Sequence, residues 1–127
     1  MPGLPFDPAT TPYVSLVTYR KTGAEVKTPV WIAKNAGAYY VFSEAKAGKV
    51  KRIKNNSTVK IAKCDLKGRV SSDWISGCAQ LVTDEKEIAE MYKAFDQKYG
   101  WQTRSLNFIA KLTGRIKKRA IIKVKLS

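Results

Sequence analysis

Short runs of β-branched and aromatic residues, separated by tight turns, constrain the fold of this chain more than any other feature of its sequence. Residues 21–24 and 35–37 form two such turns, and each contains a glycine. A connection this short cannot supply the crossover between parallel strands, so the runs that it joins are predicted to pair antiparallel. The same pattern predicts strands at residues 13–20, 26–33, 39–43, 58–64, 69–83 and 120–126. The chain is therefore predicted to be mainly β.

Two interruptions within these strands, and three helices between them, complete the predicted fold. Pro29 lacks a donor for the ladder, so its strand should lie at an edge or break there, and Gly77 indicates a bulge or a sharp curl. The spacing of apolar residues predicts a basic helix at 45–55, a capped helix at 84–100 and a further helix at about 103–112. Together these elements predict a six-stranded antiparallel β-barrel with flanking helices.

The length of the chain, 127 residues, fits one domain. Residues 1–127 are predicted to form that domain, beginning with an extended leader at 1–12. No apolar run approaches the roughly 18 residues of a membrane span, and the first residues do not resemble a signal peptide. We therefore expect a soluble, cytoplasmic protein that does not bind a membrane.

Histidine is absent from the sequence, and its absence excludes several kinds of active site. The chain has no Ser-His-Asp or Cys-His nucleophile system, no histidine-ligated zinc and no imidazole proton shuttle. Cys64 and Cys78 are too few for a cysteine-only zinc site and are expected to be reduced, buried strand residues. No metal is expected, and an enzyme of this composition would take its chemistry from a bound organic cofactor.

The charge of the chain is strongly positive and unevenly distributed. There are 24 Lys and Arg residues against 10 Asp and Glu, which gives a net charge of +14. Residues 46–69 contain nine basic residues and one acid, and residues 111–125 contain seven basic residues and no acid. This pattern predicts an anionic partner: a nucleic acid, a membrane surface or a phosphorylated cofactor.

The third predicted strand and the helix after it form a candidate phosphate site. The strand ends at Ser43, a loop with Gly48 follows, and the basic helix carries Lys49 and Arg52. Backbone N–H groups at a helix N-terminus carry about half a positive charge and stabilise a phosphate there. The alternative interpretation is a solvated basic helix on a basic protein.

The interrupted second strand, Thr28-Pro29-Val30-Trp31, is a candidate site for a flat ring. Backbone groups left unpaired beside Pro29 would suit the polar edge of a heterocycle, and Trp31 could line the same pocket. A proline on an edge strand beside a core tryptophan is an equally good interpretation of this segment.

Five motifs, in this order, resemble the flavin and deazaflavin oxidoreductases of the pyridoxamine-phosphate-oxidase-like superfamily. They are Ser15-Leu16-Val17-Thr18, Val26-Lys27-Thr28-Pro29-Val30-Trp31, Ala47-Gly48-Lys49-Val50-Lys51-Arg52-Ile53, Gly77-Cys78-Ala79-Gln80-Leu81 and Lys98-Tyr99-Gly100-Trp101. The small branch often called the PPOX class, which depends on coenzyme F420, resembles the chain most. The resemblance covers about residues 13–126, and it implies an FMN-binding split barrel that forms a homodimer with two cofactor sites at the interface.

The resemblance also implies which residues bind the cofactor. The family's second strand lines the isoalloxazine, and its third strand and the following helix hold the phosphate. These positions are Thr28, Pro29, Val30 and Trp31 for the ring, and Phe42, Ser43, Lys49 and Arg52 for the phosphate. Residues 99–104 would approach the site of the partner subunit. Ala47 departs from the family where a phosphate-binding Ser or Arg is common, and Ser72 departs where some relatives place a Gln or an aromatic residue.

The function that the resemblance implies is hydride transfer between a bound cofactor, coenzyme F420 or else FMN or FAD, and a small organic substrate. Because the cofactor ring carries the hydride, such an enzyme needs no histidine. No catalytic residue is identified, although Tyr40, Tyr99 or a lysine could protonate the product.

Two alternatives to this function remain. One is a split barrel without turnover that binds a cofactor, haem or another tetrapyrrole. The other is a nucleic-acid-binding barrel that stacks bases on Tyr39, Tyr40, Trp74 and Trp101. These aromatic residues fall mainly on apolar strand faces, which favours core packing and makes nucleic acid the less favoured partner.

Overall fold

Seven antiparallel strands form one sheet in this computed structural model, which describes residues 4–44, 47–100 and 119–126. The strands are β1 (Val14–Tyr19), β2 (Glu25–Val30), β3 (Ala33–Asn35), β4 (Ala38–Glu44), β5 (Thr58–Lys63), β6 (Ile75–Val82) and β7 (Arg119–Leu126). Their order across the sheet is β2-β1-β5-β6-β7-β4-β3. The helices of the described residues are α1 (Gly48–Asn55) and α2 (Glu85–Tyr99).

The two edges of this sheet are held close together by the chain itself. β2 and β3 stand at opposite ends of the strand order, but only Trp31 and Ile32 separate them in sequence. Because consecutive Cα atoms are 3.8 Å apart, the ends of these two strands lie within about 11 Å of each other. The sheet must therefore curl back on itself and form a barrel that is split between β2 and β3.

The predicted fold class, mainly β with antiparallel strands and flanking helices, is confirmed, but there are seven strands and the prediction of six is wrong. Residues 26–33 were expected to form one strand and instead form β2 and β3, with a break at Trp31 and Ile32. The N–H of Ile32 donates to Tyr99 Oη (3.0 Å), and its carbonyl accepts from Lys98 Nζ (2.6 Å). The backbone at the break therefore bonds to side chains of α2.

Two further expectations for the strands have mixed outcomes. β2 lies at an edge of the sheet, as Pro29 predicts. The predicted strand 69–83 is shorter, because residues 65–74 form a loop that is tied by an isolated bridge between Cys64 and Val70. At Gly77 the pairing of β6 with β5 continues without an inserted residue, so the expectation of a bulge fails there.

Both described helices begin where the sequence signals predict, within a few residues. α1 starts at Gly48 inside the predicted segment 45–55, of which residues 45 and 46 lie outside the described part. The side chain of Asp84 accepts a hydrogen bond from the N–H of Glu87 (2.9 Å) and caps α2, as predicted. The predicted helix at 103–112 lies outside the described residues.

Two apolar clusters lie on opposite faces of the sheet, because side chains alternate along each strand. The first fills the barrel with residues such as Leu16, Val41 and Ile61, and the leader packs on it through Leu4 and Phe6. The second joins the outer face of the sheet to α2, and it contains Ala33, Ala38, Tyr40, Val82, Met91, Phe95 and Ile121. α2 is thereby fixed to the sheet beside the break between β2 and β3.

The two cysteines are both free thiols, but they differ in exposure. Cys64 is buried, as predicted, whereas Cys78 is exposed and the expectation of burial is wrong. Cys78 points to solvent because its neighbours in β6, Gly77 and Ala79, are the residues of that stretch that face inward.

No helix within the described ranges is both long enough and apolar enough to cross a membrane.

Candidate functional site

The N-terminus of α1 has the features of an anion site. Ala47 occupies the N-cap position and provides no side-chain cap, and the first turn contains no acidic residue. Ser, Thr, Asp or Asn at this position would satisfy a backbone N–H of the first turn. Ala47 itself offers no side-chain acceptor to these N–H groups.

Arg52 folds back over this N-terminus from the second turn of α1. Its Nη1 lies 2.7 Å from the position that a Cβ on Gly48 would occupy, so only the absence of a side chain at Gly48 leaves room for the guanidinium. Its Nε donates to the buried hydroxyl of Thr18 on β1 at 2.6 Å. Burial, followed by the nearby charge of Arg20, lowers the pKa of Arg52 below its usual range.

The other predicted phosphate residues lie on the segments that flank this turn. Ser43 is buried near the end of β4, where it pairs with Ala120 of β7. Lys49 is half-buried on the first turn of α1. The structure thus places Lys49 and Arg52 together on α1, and places Ser43 on the strand that leads towards it.

An open groove lies between the β1–β2 turn and the C-terminal end of α1. It has a volume of about 430 Å³ and is lined by Tyr19, Arg20, Lys21, Gly23, Asn55 and Asn56. Arg20, whose charge acts on Arg52, therefore extends the positive surface beyond α1.

The predicted ring residues divide between the two faces of β2. Val30 is buried in the barrel core, with Thr28 half-buried on the same face. Pro29 is exposed on the other face, where it lies near Gly68 of the β5–β6 loop. Because neighbouring side chains of a strand point to opposite faces, these residues cannot all present side chains to one ring.

Trp31 and Phe42 come together in the aromatic cluster against α2. The rings of Trp31 and Tyr99 stack with centroids 4.4 Å apart and planes 8° apart. Phe42 meets Trp31 edge-on at 6.4 Å and Phe95 at 5.0 Å. This packing is the arrangement expected for a core tryptophan, and it also brings one predicted ring residue within reach of one predicted phosphate residue.

The hydroxyl of Tyr99 forms hydrogen bonds with the backbone groups that the strand break would otherwise leave unpaired. Tyr99 Oη accepts from the N–H of Ile32 (3.0 Å), and it can donate to the carbonyl of Pro12 (2.7 Å) or of Ile32 (3.1 Å). Burial raises the pKa of Tyr99 to about 12. The polar groups at Ile32 are therefore not available to the edge of a heterocycle.

Lys98, named in the sequence only as part of a family motif, has a structural role that the motif did not predict. Its Nζ donates to the carbonyls of Pro8 (3.0 Å), Thr11 (2.7 Å) and Ile32 (2.6 Å). Burial lowers its pKa to about 8, with a smaller opposing effect from Asp7. The one available sequence signal was its place at the end of an amphipathic helix, where a cation is common for other reasons.

Two more residues considered in the sequence analysis have internal partners. Tyr40, named as a proton donor, is buried and donates to Glu87 Oε2 (2.6 Å), which also pairs with Lys123 (3.1 Å). Burial, followed by the bond to Glu87, raises the pKa of Tyr40.

Ser72 accepts from the N–H of Lys63 (2.8 Å) and closes the β5–β6 loop. These contacts indicate structural roles.

Comparisons with known proteins identify the fold through structure and not through sequence. No protein-family model matches the chain, and no curated protein sequence matches it. HutZ, the haem storage protein from Vibrio cholerae, superposes with a TM-score of 0.69 at 12% identity, over 94% of this chain and 84% of that one. A pyridoxamine 5'-phosphate oxidase-like protein from Listeria innocua gives 0.61 at 16% identity, over 91% and 84%. An F420 reductase gives 0.58 at 20% identity, over 94% and 90%.

The chain has the split-barrel fold of pyridoxamine-phosphate-oxidase-like proteins. This is the fold that the five sequence motifs predict. Within this split barrel, the candidate anion groups converge at the N-terminus of α1, and the aromatic residues collect where α2 covers the strand break. The described side chains contain no group of three or more Cys, Asp or Glu residues that could hold a metal ion.

Proposed function

We propose that this split barrel is a flavin- or deazaflavin-dependent oxidoreductase that transfers hydride between its cofactor and a small organic substrate. Coenzyme F420 is the proposed cofactor, with FMN or FAD as the alternatives. One observation carries the proposal: α1 begins without a side-chain cap or an acid, and the guanidinium of Arg52 lies over that first turn.

The donors at this turn fit a phosphate group. The helix N-terminus contributes about half a positive charge, and two of the basic side chains of α1, Lys49 and Arg52, add two full charges. Among the described side chains, Arg52 belongs to no ion pair, so its charge is not already neutralised. A phosphate monoester or diester supplies negative charge and acceptor oxygens that match these donors.

The residues of this chain would bind and orient the cofactor, and the cofactor would supply the hydride chemistry from its own ring. Lys49, Arg52 and the N–H groups of α1 would hold the phosphate, with Ser43 and Phe42 beside it. Thr28, Pro29, Val30 and Trp31 remain proposed ring contacts, through their backbone where their side chains point away. This division of roles needs no histidine and no catalytic side chain.

The structural neighbours support the general class, and they also supply a second candidate. The F420 reductase and the oxidase-like protein fit a redox cofactor, whereas HutZ is a haem storage protein of the same fold. The superposition covers 84% of HutZ and 90% of the F420 reductase, so the two neighbours match this chain over similar shares of their length. A split barrel that binds a tetrapyrrole without turnover is therefore the second candidate.

The nucleic-acid-binding barrel receives no support from the described aromatic residues. Tyr39 and Tyr40 are both buried, with 8% and 2% of their surfaces exposed. Trp74 is half-buried, with the ammonium groups of Lys27 and Lys60 at 5.5 and 4.9 Å from its ring. Base stacking needs exposed ring faces, which the two buried tyrosines lack.

We also propose a homodimer with cofactor sites at its interface and a cytoplasmic location. Both come from the family resemblance, in which residues 99–104 approach the site of the partner subunit. Within one chain, Tyr99 stacks on Trp31, so the start of that segment lies beside a proposed ring residue of its own subunit.

Cofactor titration of the purified protein tests the proposed function. FMN, FAD, coenzyme F420 and haem are each added while ring fluorescence or the haem absorption band is followed. We expect micromolar binding of F420 or a flavin, weakened about ten- to 100-fold in Lys49→Ala because a charge-assisted contact is lost. Lys51→Ala is the matched control, since it removes the same charge from an exposed position of the same helix.

Two results would contradict this function. Binding of haem alone would favour the tetrapyrrole candidate. Failure to bind any of the four ligands, together with salt-sensitive binding of single-stranded nucleic acid, would exclude a cofactor-binding role for this barrel.

A further inference from the structure

Thr18 makes an unusual contact for a buried residue on the first strand. Only 1% of its surface is exposed, and its hydroxyl accepts a hydrogen bond from Nε of Arg52 at 2.6 Å. The two residues are 34 positions apart and belong to β1 and α1. A short hydrogen bond from a charged donor is among the stronger bonds that a neutral hydroxyl can form.

Thr18 is neutral, and no described side chain gives the Arg52 guanidinium a partner of opposite charge. Arg52 takes part in none of their ion pairs. The charged group that acts on it is Arg20, which repels it. An arginine side chain repelled by a neighbouring arginine would normally extend into solvent. The position of the Arg52 side chain over Gly48 therefore requires an interaction that holds it there.

The geometry points to Thr18 as the positioning residue of the anion site: its hydroxyl holds Nε of Arg52 so that the guanidinium stays over the first turn of α1, ready for phosphate. This inference rests on the proposed function, which it deepens by naming the residue that prepares the site. Thr18 itself does not touch the ligand.

The contact has a physical effect on affinity because arginine is flexible. Its side chain loses considerable rotamer freedom when a ligand fixes it, and this loss opposes binding. A guanidinium already held through Nε retains its four Nη hydrogens as donors and has less freedom left to lose. Without the Thr18 hydroxyl, the repulsion from Arg20 would move Arg52 away from the turn.

Two variants separate this role from simple packing. Thr18→Val keeps the shape and burial of the side chain but removes the acceptor, and Thr18→Ser keeps the acceptor. Each variant is titrated with two matched ligand pairs: FMN and riboflavin, and coenzyme F420 and its deazaflavin nucleoside without the phosphodiester. Within each pair the ring is the same. FMN differs from riboflavin by the phosphate alone, whereas F420 differs from its nucleoside by the phosphodiester and the acidic tail attached to it.

We expect Thr18→Val to bind FMN or F420 about three- to tenfold more weakly, the effect of one hydrogen bond, and Thr18→Ser to bind within about twofold of wild type. The ligand without phosphate should bind Thr18→Val and wild type equally. A second readout needs no cofactor: the NMR signal of Arg52 Nε–Hε should be resolved in wild type and Thr18→Ser, and lost or shifted in Thr18→Val.

The outcomes distinguish this inference from the function on which it rests. Equal weakening of both members of a pair would overturn it, because Thr18 would then act on the barrel as a whole. Unchanged phosphate-ligand binding in Thr18→Val, with loss in Lys49→Ala, would overturn it and leave the proposed function standing. If wild type binds no member of either pair, both fall together.

Discussion

Gly48 leaves the space at the start of α1 that the Arg52 guanidinium occupies. A Cβ at this position would lie 2.7 Å from Nη1 and 3.5 Å from Cζ of Arg52. The obstructed group is the far end of a flexible side chain, so it can move aside while the helix stays in place. The absence of a side chain at Gly48 is therefore a feature of the anion site, because it leaves room for Arg52.

We predict that Gly48→Ala separates folding from binding. Alanine favours the helix by up to about 1 kcal/mol over glycine, so the melting temperature should stay the same or rise. Binding of the phosphate-bearing cofactor should weaken about tenfold, because Arg52 loses its place. Thermal unfolding and cofactor titration of the same samples check both parts. Unaltered affinity in a stable Gly48→Ala protein would show that Arg52 does not need this position.

Lys98 gives a pH-dependent prediction at the scale of one residue. Its ammonium is buried against three backbone carbonyls, and burial lowers its pKa from 10.5 to about 8. An NMR titration of its Cε carbon should therefore have its midpoint near pH 8 in the folded protein. A midpoint above 10 would contradict the burial of the charge.

The same shift changes stability in a known direction. Above pH 8 the folded protein releases the proton of Lys98, while the unfolded chain retains it up to about pH 10.5. Unfolding then takes up a proton, so stability rises with pH in this window relative to Lys98→Met. With allowance for partial exposure, the gain should be on the order of 1 kcal/mol. If the free energies of unfolding of wild type and Lys98→Met changed equally with pH, this prediction would be wrong.

At the scale of elements, the pairing of β6 with β7 depends on Gly77. The carbonyl oxygen of Lys125 lies 2.6 Å from the position of a Cβ at residue 77, and it belongs to backbone that cannot move alone. We predict that Gly77→Ala lowers the free energy of unfolding by about 1–3 kcal/mol, measured by denaturant titration. Ser76→Ala is the matched control, because this exposed neighbour lies in the same strand. Equal stability of the two variants would show that β7 can shift.

The elements that the sequence predicted well are those whose signals are local. β1, β5, β7 and α2 depend on alternation, tight turns and the Asp84 cap, all of which lie within or beside the element. The split of residues 26–33 into β2 and β3 could not be predicted in this way. It depends on Tyr99 and Lys98, which are more than 60 residues away along the chain.

The candidate site follows the same division between local and distant signals. Lys49 and Arg52 could be placed on one helix from their spacing, and α1 confirms that placement. Thr18 could not be linked to Arg52, since their contact spans 34 residues and depends on how β1 packs against α1. The stack of Tyr99 on Trp31 is equally invisible in the sequence, where both residues look like ordinary core aromatics.

At the scale of the whole molecule, part of the net charge of +14 lies on α1 and the segments around it. Lys49 and Arg52 both lie on α1, and the charge of Arg20 acts on Arg52. The groove that Arg20 lines also includes Lys21. By contrast, the charges of Lys60 and Lys123 are partly neutralised by Glu25 and Glu87. Arg52 forms no ion pair among the described side chains, so its charge remains available to a bound anion.

The proposed homodimer leads to the last prediction, because a site shared between subunits ties cofactor affinity to assembly. Sedimentation at tens of micromolar should give twice the 14.2 kDa mass of the chain, with one cofactor bound per chain. Dilution below the dimer dissociation constant should then release the cofactor, since a ligand that binds the dimer better than the monomer must also stabilise the dimer. Added cofactor should correspondingly shift the monomer–dimer equilibrium towards the dimer. A monomer at tens of micromolar that binds cofactor with unchanged affinity on dilution would place the whole site within one chain.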